Sequence, residues 1–294
     1  MPEQDIARAA ALIAGADALL ICTGAGMGVD SGLPDFRGDA GFWKAYPALG
    51  AARTPFHEIA NPASFRADPA LAWGFYGHRL ALYRSTVPHA GFGILLDLAR
   101  AMPQGAFVFT SNVDGQFGRA GFGEDQIVEC HGSIHHLQCS QPCSDAIWPA
   151  GAFLPEVDAA ACRLRNAPPR CPHCAALARP NILMFNDSAW IDTRTEAQYA
   201  RLQAWRAGVR RLVVVELGAG VDIPSVRRMS ERQRAPLVRI NPRAPQLDGA
   251  GGVGLALGAR DALDRIRQAL VGGRPHQASM VSPLIFCRRS TPRL

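Results

Sequence analysis

One pattern constrains this chain more than any other. A short apolar run ends in a loop of glycine, asparagine, aspartate or serine, and the unit recurs along the sequence. Ala18–Thr23 runs into Thr23-Gly24-Ala25-Gly26, and Ala106–Thr110 into Ser111-Asn112-Val113-Asp114. Residues 211–216 run into Gly218-Ala219-Gly220, and Leu237–Ile240 into Asn241-Pro242. Helical periodicity occupies about 6–16, 91–100, 196–207, 224–234 and 260–270 between them. Segments apolar on both faces that alternate with helices predict the strands of a buried parallel sheet. Residues 126–129 and 181–185 are further strand candidates. In such sheets ligands bind beyond the carboxyl ends of the strands, where the strand order reverses. The four polar strand ends are therefore expected to face one crevice.

Two segments interrupt the alternation. Residues 42–89 are rich in aromatics and read as a cap over the crevice, helical in the second half. Residues 135–179 are rich in proline and cysteine, with little periodicity. They hold the pairs Cys139-x3-Cys143 and Cys171-x2-Cys174, a spacing that fits one tetrahedral zinc ion per chain. Four protein thiolates leave no open coordination position, so this zinc is expected to be structural. Cys162 is a substitute ligand without a paired neighbour, and Cys22 and Cys130 read as strand-core residues. The expected fold class is thus α/β: a Rossmann-type doubly wound parallel sheet with a small zinc-binding module and a helical cap insertion. The sheet domain would comprise about 1–41, 90–134 and 180–274, with 275–294 a disordered tail.

Charge narrows the partners. The net charge of +6 is carried by arginine, Lys44 being the only lysine. Arginines spread through the helices read as solvated faces, with no specific nucleic-acid groove. No apolar run reaches the roughly 18 residues that a membrane span needs. Asp5 and Asp17 flank the N-terminal apolar stretch and no basic segment precedes it, so no signal peptide is expected. A cytoplasmic protein is expected.

The loop Gly24-Ala25-Gly26-Met27-Gly28-Val29 lets a backbone approach a pyrophosphate, with a following helix N-terminus to favour the charge. It lacks the third glycine of the dinucleotide fingerprint, and no acidic residue closes a second strand. Asp35-Phe36-Arg37 adds an acid, an apolar wall and a guanidinium beside it. Here the chain resembles the sirtuin family of NAD-dependent protein deacylases. The resemblance rests on Thr23-Gly24-Ala25-Gly26 and Gly32-Leu33-Pro34-Asp35-Phe36-Arg37, then on Thr110-Ser111-Asn112-Val113-Asp114, Glu129-Cys130-His131-Gly132 and Asn241, in family order over about 5–270.

The resemblance implies an NAD site formed by Gly24, Ala25, Gly26, Asp35, Phe36, Arg37, Ser111, Asn112, Asp114, Gly218, Ala219, Gly220 and Asn241. It implies His131 as catalytic base, with Asn112 and Asp114 placing the ribose, the nicotinamide amide and a water. An imidazole with a near-neutral pKa suits that task. It further implies cleavage of the nicotinamide–ribose bond, an acylated-lysine protein or peptide as partner, and acyl transfer to ADP-ribose. The extended peptide would add as a strand between 185–187 and the loop near 217–221.

Departures from the family cluster, some on the substrate side and some, as at 218–220, on the adenosine side. Ser111 replaces a glutamine, Gln116-Phe117 a Leu-His pair, Phe185-Asn186-Asp187 a Phe-Gly-Glu segment, Gly218-Ala219-Gly220 a Gly-Thr-Ser loop, and Gly28 a serine or threonine. An ADP-ribosyltransferase or NAD glycohydrolase on the same scaffold therefore stands beside the deacylase reading. A non-catalytic NAD- or ADP-ribose-binding module is a third reading, opposed by the intact His131, Asn112 and Asp114.

Overall fold

The runs read as continuous strands are apolar because both their faces are covered. The computed structural model describes residues 2–35, 38–247, 249 and 251–272. Phe36, Arg37 and the tail expected from 275 lie outside the described residues. Strands β1 (Ala18–Thr23), β2 (Ala106–Thr110), β3 (Ile127–Glu129), β9 (Leu212–Leu217), β10 (Leu237–Ile240) and β11 (Gly252–Leu255) form one parallel sheet. Its order is β3-β2-β1-β9-β10-β11, a doubly wound arrangement whose order reverses between β1 and β9.

Side chains of adjacent strand residues point to opposite faces. Leu19, Ile21, Val108, Val213, Val215 and Val238 pack against the helices Pro2–Ala14, Ala90–Ala101 and Ala259–Gly272. Leu20, Cys22, Phe107, Phe109 and Val214 pack against Thr193–Gly208 and Ser225–Arg232. Each such side chain contributes about 1.5–3 kcal/mol on burial. Glu216 of β9 is a buried charge in the sheet, and Arg239 of β10 meets it at 2.6 Å.

β11 escapes sequence reading because its glycines look like a loop. A Cβ at Gly254 would fall 2.0 Å from the Pro245 carbonyl, so only a bare backbone fits under that segment. The run expected at 181–185 begins earlier. It is β8 (Ala178–Ile182), antiparallel to β4 (Gly132–Cys139), with β5 (Ile147–Pro149) on the other side of β4. These three strands, and the ribbon of β6 (Val157–Asp158) and β7 (Arg163–Leu164), build the cysteine-bearing module.

The cap is helical from Gly38 onward, not only in its second half, and its longest helix is Pro69–Ser85. Its aromatic content follows from what it covers. Phe42, Tyr46, Phe65, Trp73, Phe75 and Tyr76 share one core with Ile134, Leu137 and Ile182 of β4 and β8. The Trp73 indole N–H donates to the Ala178 carbonyl at 3.0 Å. Cap and cysteine module thus lean on each other and leave a cleft above the carboxyl ends of β1 and β2. Among the described residues, no helix is long and apolar enough to cross a membrane.

Candidate active site

At the switch point two glycine loops pack backbone to backbone. Gly26 N–H donates to the Gly218 carbonyl at 3.1 Å, and Gly24 N–H to the Leu217 carbonyl at 3.0 Å. Gly218 has φ +60°, and a Cβ on it would sit 2.4 Å from Gly26 Cα. A Cβ on Gly24 would sit 2.9 Å from the Gly218 oxygen. Any side chain there pries the loops apart. No long helix follows the first loop, contrary to expectation. Short 3₁₀ turns, Ala25–Met27 and Val29–Ser31, come instead, because the cap is inserted before the helix Ala90–Ala101.

β2 delivers the next group. Ser111 N–H donates to the Thr23 carbonyl at 3.0 Å, and the Asn112 side-chain amide to the Gly24 carbonyl at 3.0 Å. Asn112 therefore fixes the first glycine loop as well as facing the cleft. Asp114 is buried, and its Oδ1 accepts the Gln116 N–H at 2.9 Å. Burial raises its carboxyl from 3.8 to about 6, against the lowering pull of that amide, with Glu129 adding to the rise. His131 follows β3. Burial holds its imidazole below the usual histidine value, while a ring hydrogen bond to the Ser111 backbone opposes this. A neutral imidazole keeps one ring nitrogen as acceptor.

These residues line one cleft of about 440 Å³, within the range of small-molecule sites. Gly24, Ala25, Gly26, Asp35, Ser111, Asn112, Asp114, His131, Gly218 and Gly220 all border it. Ala219 and Asn241 do not. Asn241 is buried, its amide donates to the Ala219 carbonyl at 2.9 Å, and its Oδ1 accepts from Arg243 and Ala244 N–H. Its side chain shapes the second glycine loop. The cleft fits NAD in one respect that geometry alone can test: a backbone cradle that a Cβ would fill, with open space beside Gly220.

Of the other wall, sequence reasoning named Phe185 and missed the rest. Tyr76, Arg79 and Tyr83 line the cleft from the helix Pro69–Ser85, and Leu183, Phe185 and Ile223 stand exposed on its rim. Arg79 is buried. Its Nε and Nη2 donate to the Tyr83 hydroxyl at 2.9 and 2.7 Å, and its guanidinium lies 5.2 Å from the Phe75 ring centroid. The available signal was an arginine in the middle of a helix apolar on nearly every side, since such a helix is buried and buried charge is rare without a use.

The departures at 186 and 187 have local explanations. Asn186 adopts φ +53°, a left-handed conformation that suits glycine and that asparagine tolerates best among other residues. Asp187 and Arg179 form an ion pair at 2.8 Å with both side chains wholly buried, and Asp187 also accepts the N–H groups of Met184 and Ala189. The shorter acid thus still braces the loop at 183–187.

The four cysteines come together. Their sulfurs lie within 4.8 Å of one another, with Cys139–Cys174 and Cys143–Cys171 both at 3.7 Å. A tetrahedral ion with bonds of about 2.3 Å requires sulfurs about 3.8 Å apart. The residues present fit a structural zinc. Cys162 is buried against Gly74 of the cap and takes no part.

The Sir2 family model matches residues 24–204. An NAD-dependent protein deacylase of Methylococcus capsulatus is 32% identical over 263 residues, covering 87% of this chain and 94% of the relative. NAD-dependent protein deacylase 1 of Pseudomonas aeruginosa is 32% identical over 238 residues, covering 79% of this chain and 86% of the relative. The crystal structure of a Sir2 homolog–NAD complex superposes with a TM-score of 0.68 at 22% identity, covering 90% of this chain and 94% of that one.

Proposed function

The chain belongs to the Sir2 family, and on that premise we propose that it is an NAD-dependent protein-lysine deacylase whose base is His131. The observation that carries this reading is the convergence of His131, Asn112, Asp114 and both glycine loops on one cleft with an apolar, exposed rim.

Bound NAD supplies the electrophilic ribose carbon, with nicotinamide as its leaving group. Gly24, Ala25, Gly26, Gly218 and Gly220 bring bare backbone to the phosphates, with Asp35 beside them. Ala219 and Asn241 support that loop from beneath, and Phe36 and Arg37 complete the cofactor set proposed from the sequence. Asn112, Ser111 and Asp114 orient the ribose and the nicotinamide amide. Neutral His131 takes a proton on its unprotonated ring nitrogen. The zinc held by Cys139, Cys143, Cys171 and Cys174 keeps β4 and β8 in place and stays out of the chemistry.

An acyl-lysine peptide lies extended between the rims, with Leu183 and Phe185 on one side and Val221 and Ile223 on the other. Apolar residues exposed side by side suit such a partner. The inner wall reads further. Arg79 places a fixed positive charge in a pocket screened by Tyr76 and Tyr83, where charge-assisted bonds gain strength. The preferred acyl group ends in a carboxylate. The transferase and glycohydrolase readings drew on the departures from the family; the left-handed Asn186 and the Arg179–Asp187 pair support the deacylase reading at one of them, the 185–187 segment.

The test is an assay with NAD and lysine peptides carrying either a neutral acyl group or a dicarboxylic one of the same length. Nicotinamide release is expected only with peptide, faster for the acidic acyl group, with the order reversed in Arg79→Met. Release of nicotinamide without peptide would overturn the deacylase reading.

A further inference from the structure

We propose that His135, which lies outside the cleft, is a positioning residue for Asp114 and locks the turn that carries this carboxyl into the site. The inference rests on the role given to Asp114 above. His135 Nε2 lies 2.9 Å from the Asp114 carbonyl oxygen. A carbonyl can only accept, so the ring holds its proton on Nε2. Gly115, the next residue, has φ +69°, and a Cβ on it would fall 2.7 Å from Cδ2 and 2.8 Å from Nε2 of His135. The imidazole therefore fills the space that a side chain at 115 would need, and ring and glycine define one another.

Two hydrogen bonds then clamp Asp114 from both ends. His135 holds its main-chain carbonyl, and the Gln116 N–H, turned back by the left-handed Gly115, holds its carboxyl oxygen. The neighbouring carbonyl, Val113, accepts the Ile134 N–H of the same strand at 3.0 Å. β4 thus grips the 113–115 turn at two successive carbonyls. That strand starts one residue after His131 and ends on the metal ligand Cys139, so the cysteine module sets the register of the turn. The charged and titratable groups around the His135 ring are Asp114, Glu129, Arg84, Arg119 and His136.

The test uses the full-length, zinc-loaded protein and steady-state deacylation of an acyl-lysine peptide. His135→Leu fills the ring volume but withdraws the donor. We expect kcat to fall at least tenfold, since a shift of about 1 Å at a catalytic group can cost about 10²-fold. KM for the peptide should stay within twofold. His135→Gln, whose amide N–H reaches the same carbonyl, should keep kcat within threefold. In an Asp114→Asn background the leucine substitution should cost less than twofold, because the group it places is already gone. An equal loss in both backgrounds would assign His135 a general packing role and overturn the proposal. Wild-type kcat in His135→Leu beside an impaired Asp114→Asn would also overturn it, with the Asp114 reading intact. Full activity of Asp114→Asn would remove that reading and the proposal with it. If His135→Leu does not fold, His135→Asn, one methylene short of the glutamine, takes its place: equal rates for the two amides overturn the proposal.

Discussion

Asp114 should make the protein less stable in exchange for its chemistry, and the size of that effect follows from its burial. The carboxyl rises from 3.8 to about 6 in the folded chain because burial penalises the charged form. Between those values the folded state binds a proton that the unfolded state has released, so stability falls as pH rises. The loss is complete above about pH 7. At about 1.4 kcal/mol per tenfold change in proton affinity, it reaches about 3 kcal/mol. Asp114→Asn removes the ionisation and keeps the oxygen that accepts the Gln116 N–H. The variant should therefore gain on the wild type as pH increases, by about 1.6 kcal/mol at pH 5 and about 3 kcal/mol at pH 7.5. Urea unfolding of both proteins across that range measures the difference directly. Both carry the same four zinc-site cysteines, so metal loss at the acid end cancels. Deacylation by the variant should be strongly reduced throughout. A difference that does not change with pH, or a variant less stable than the wild type at pH 7.5, would refute the account of Asp114 as a buried, strained acid.

Other consequences are as direct. Asp187→Ala leaves the buried Arg179 guanidinium without its carboxylate, which should cost about 3–5 kcal/mol and raise peptide KM; thermal melts and steady-state kinetics check both. Asn186→Gly, at φ +53°, should change stability by less than about 1 kcal/mol and leave peptide KM unchanged. Cys171→Ser should abolish binding of one zinc per chain and with it deacylation, because the ion holds together the strands that flank the cleft; metal analysis beside the assay decides it.

The sheet was legible in the sequence because its strands are buried on both faces and therefore show as unbroken apolar runs. That the polar strand ends meet in one cleft was legible for a related reason: each of them, from Gly24 to Asn112 and Gly218, sits on an element of fixed direction. The four cysteines announced themselves by spacing. β11 was hidden because Gly252 and Gly254 answer to the backbone packed over them, a tertiary demand without periodicity. Asn241 was placed in the right loop, but the structure turns its side chain inward onto Ala219. Arg79 and His135 were invisible as site residues for a different reason. The first comes from the inserted cap and reaches the cleft only by packing; the second, on β4, meets the Asp114 turn from outside the cleft.

The central claim, cleavage of NAD with His131 as base, is tested most directly by separating binding from turnover in His131→Ala. A general base contributes about 10²–10⁴-fold to rate. The variant should bind NAD with a Kd within a few fold of the wild type and lose at least a hundredfold in single-turnover deacylation of an acyl-lysine peptide. Deacylation at the wild-type rate in the variant, with NAD binding intact, would contradict the account.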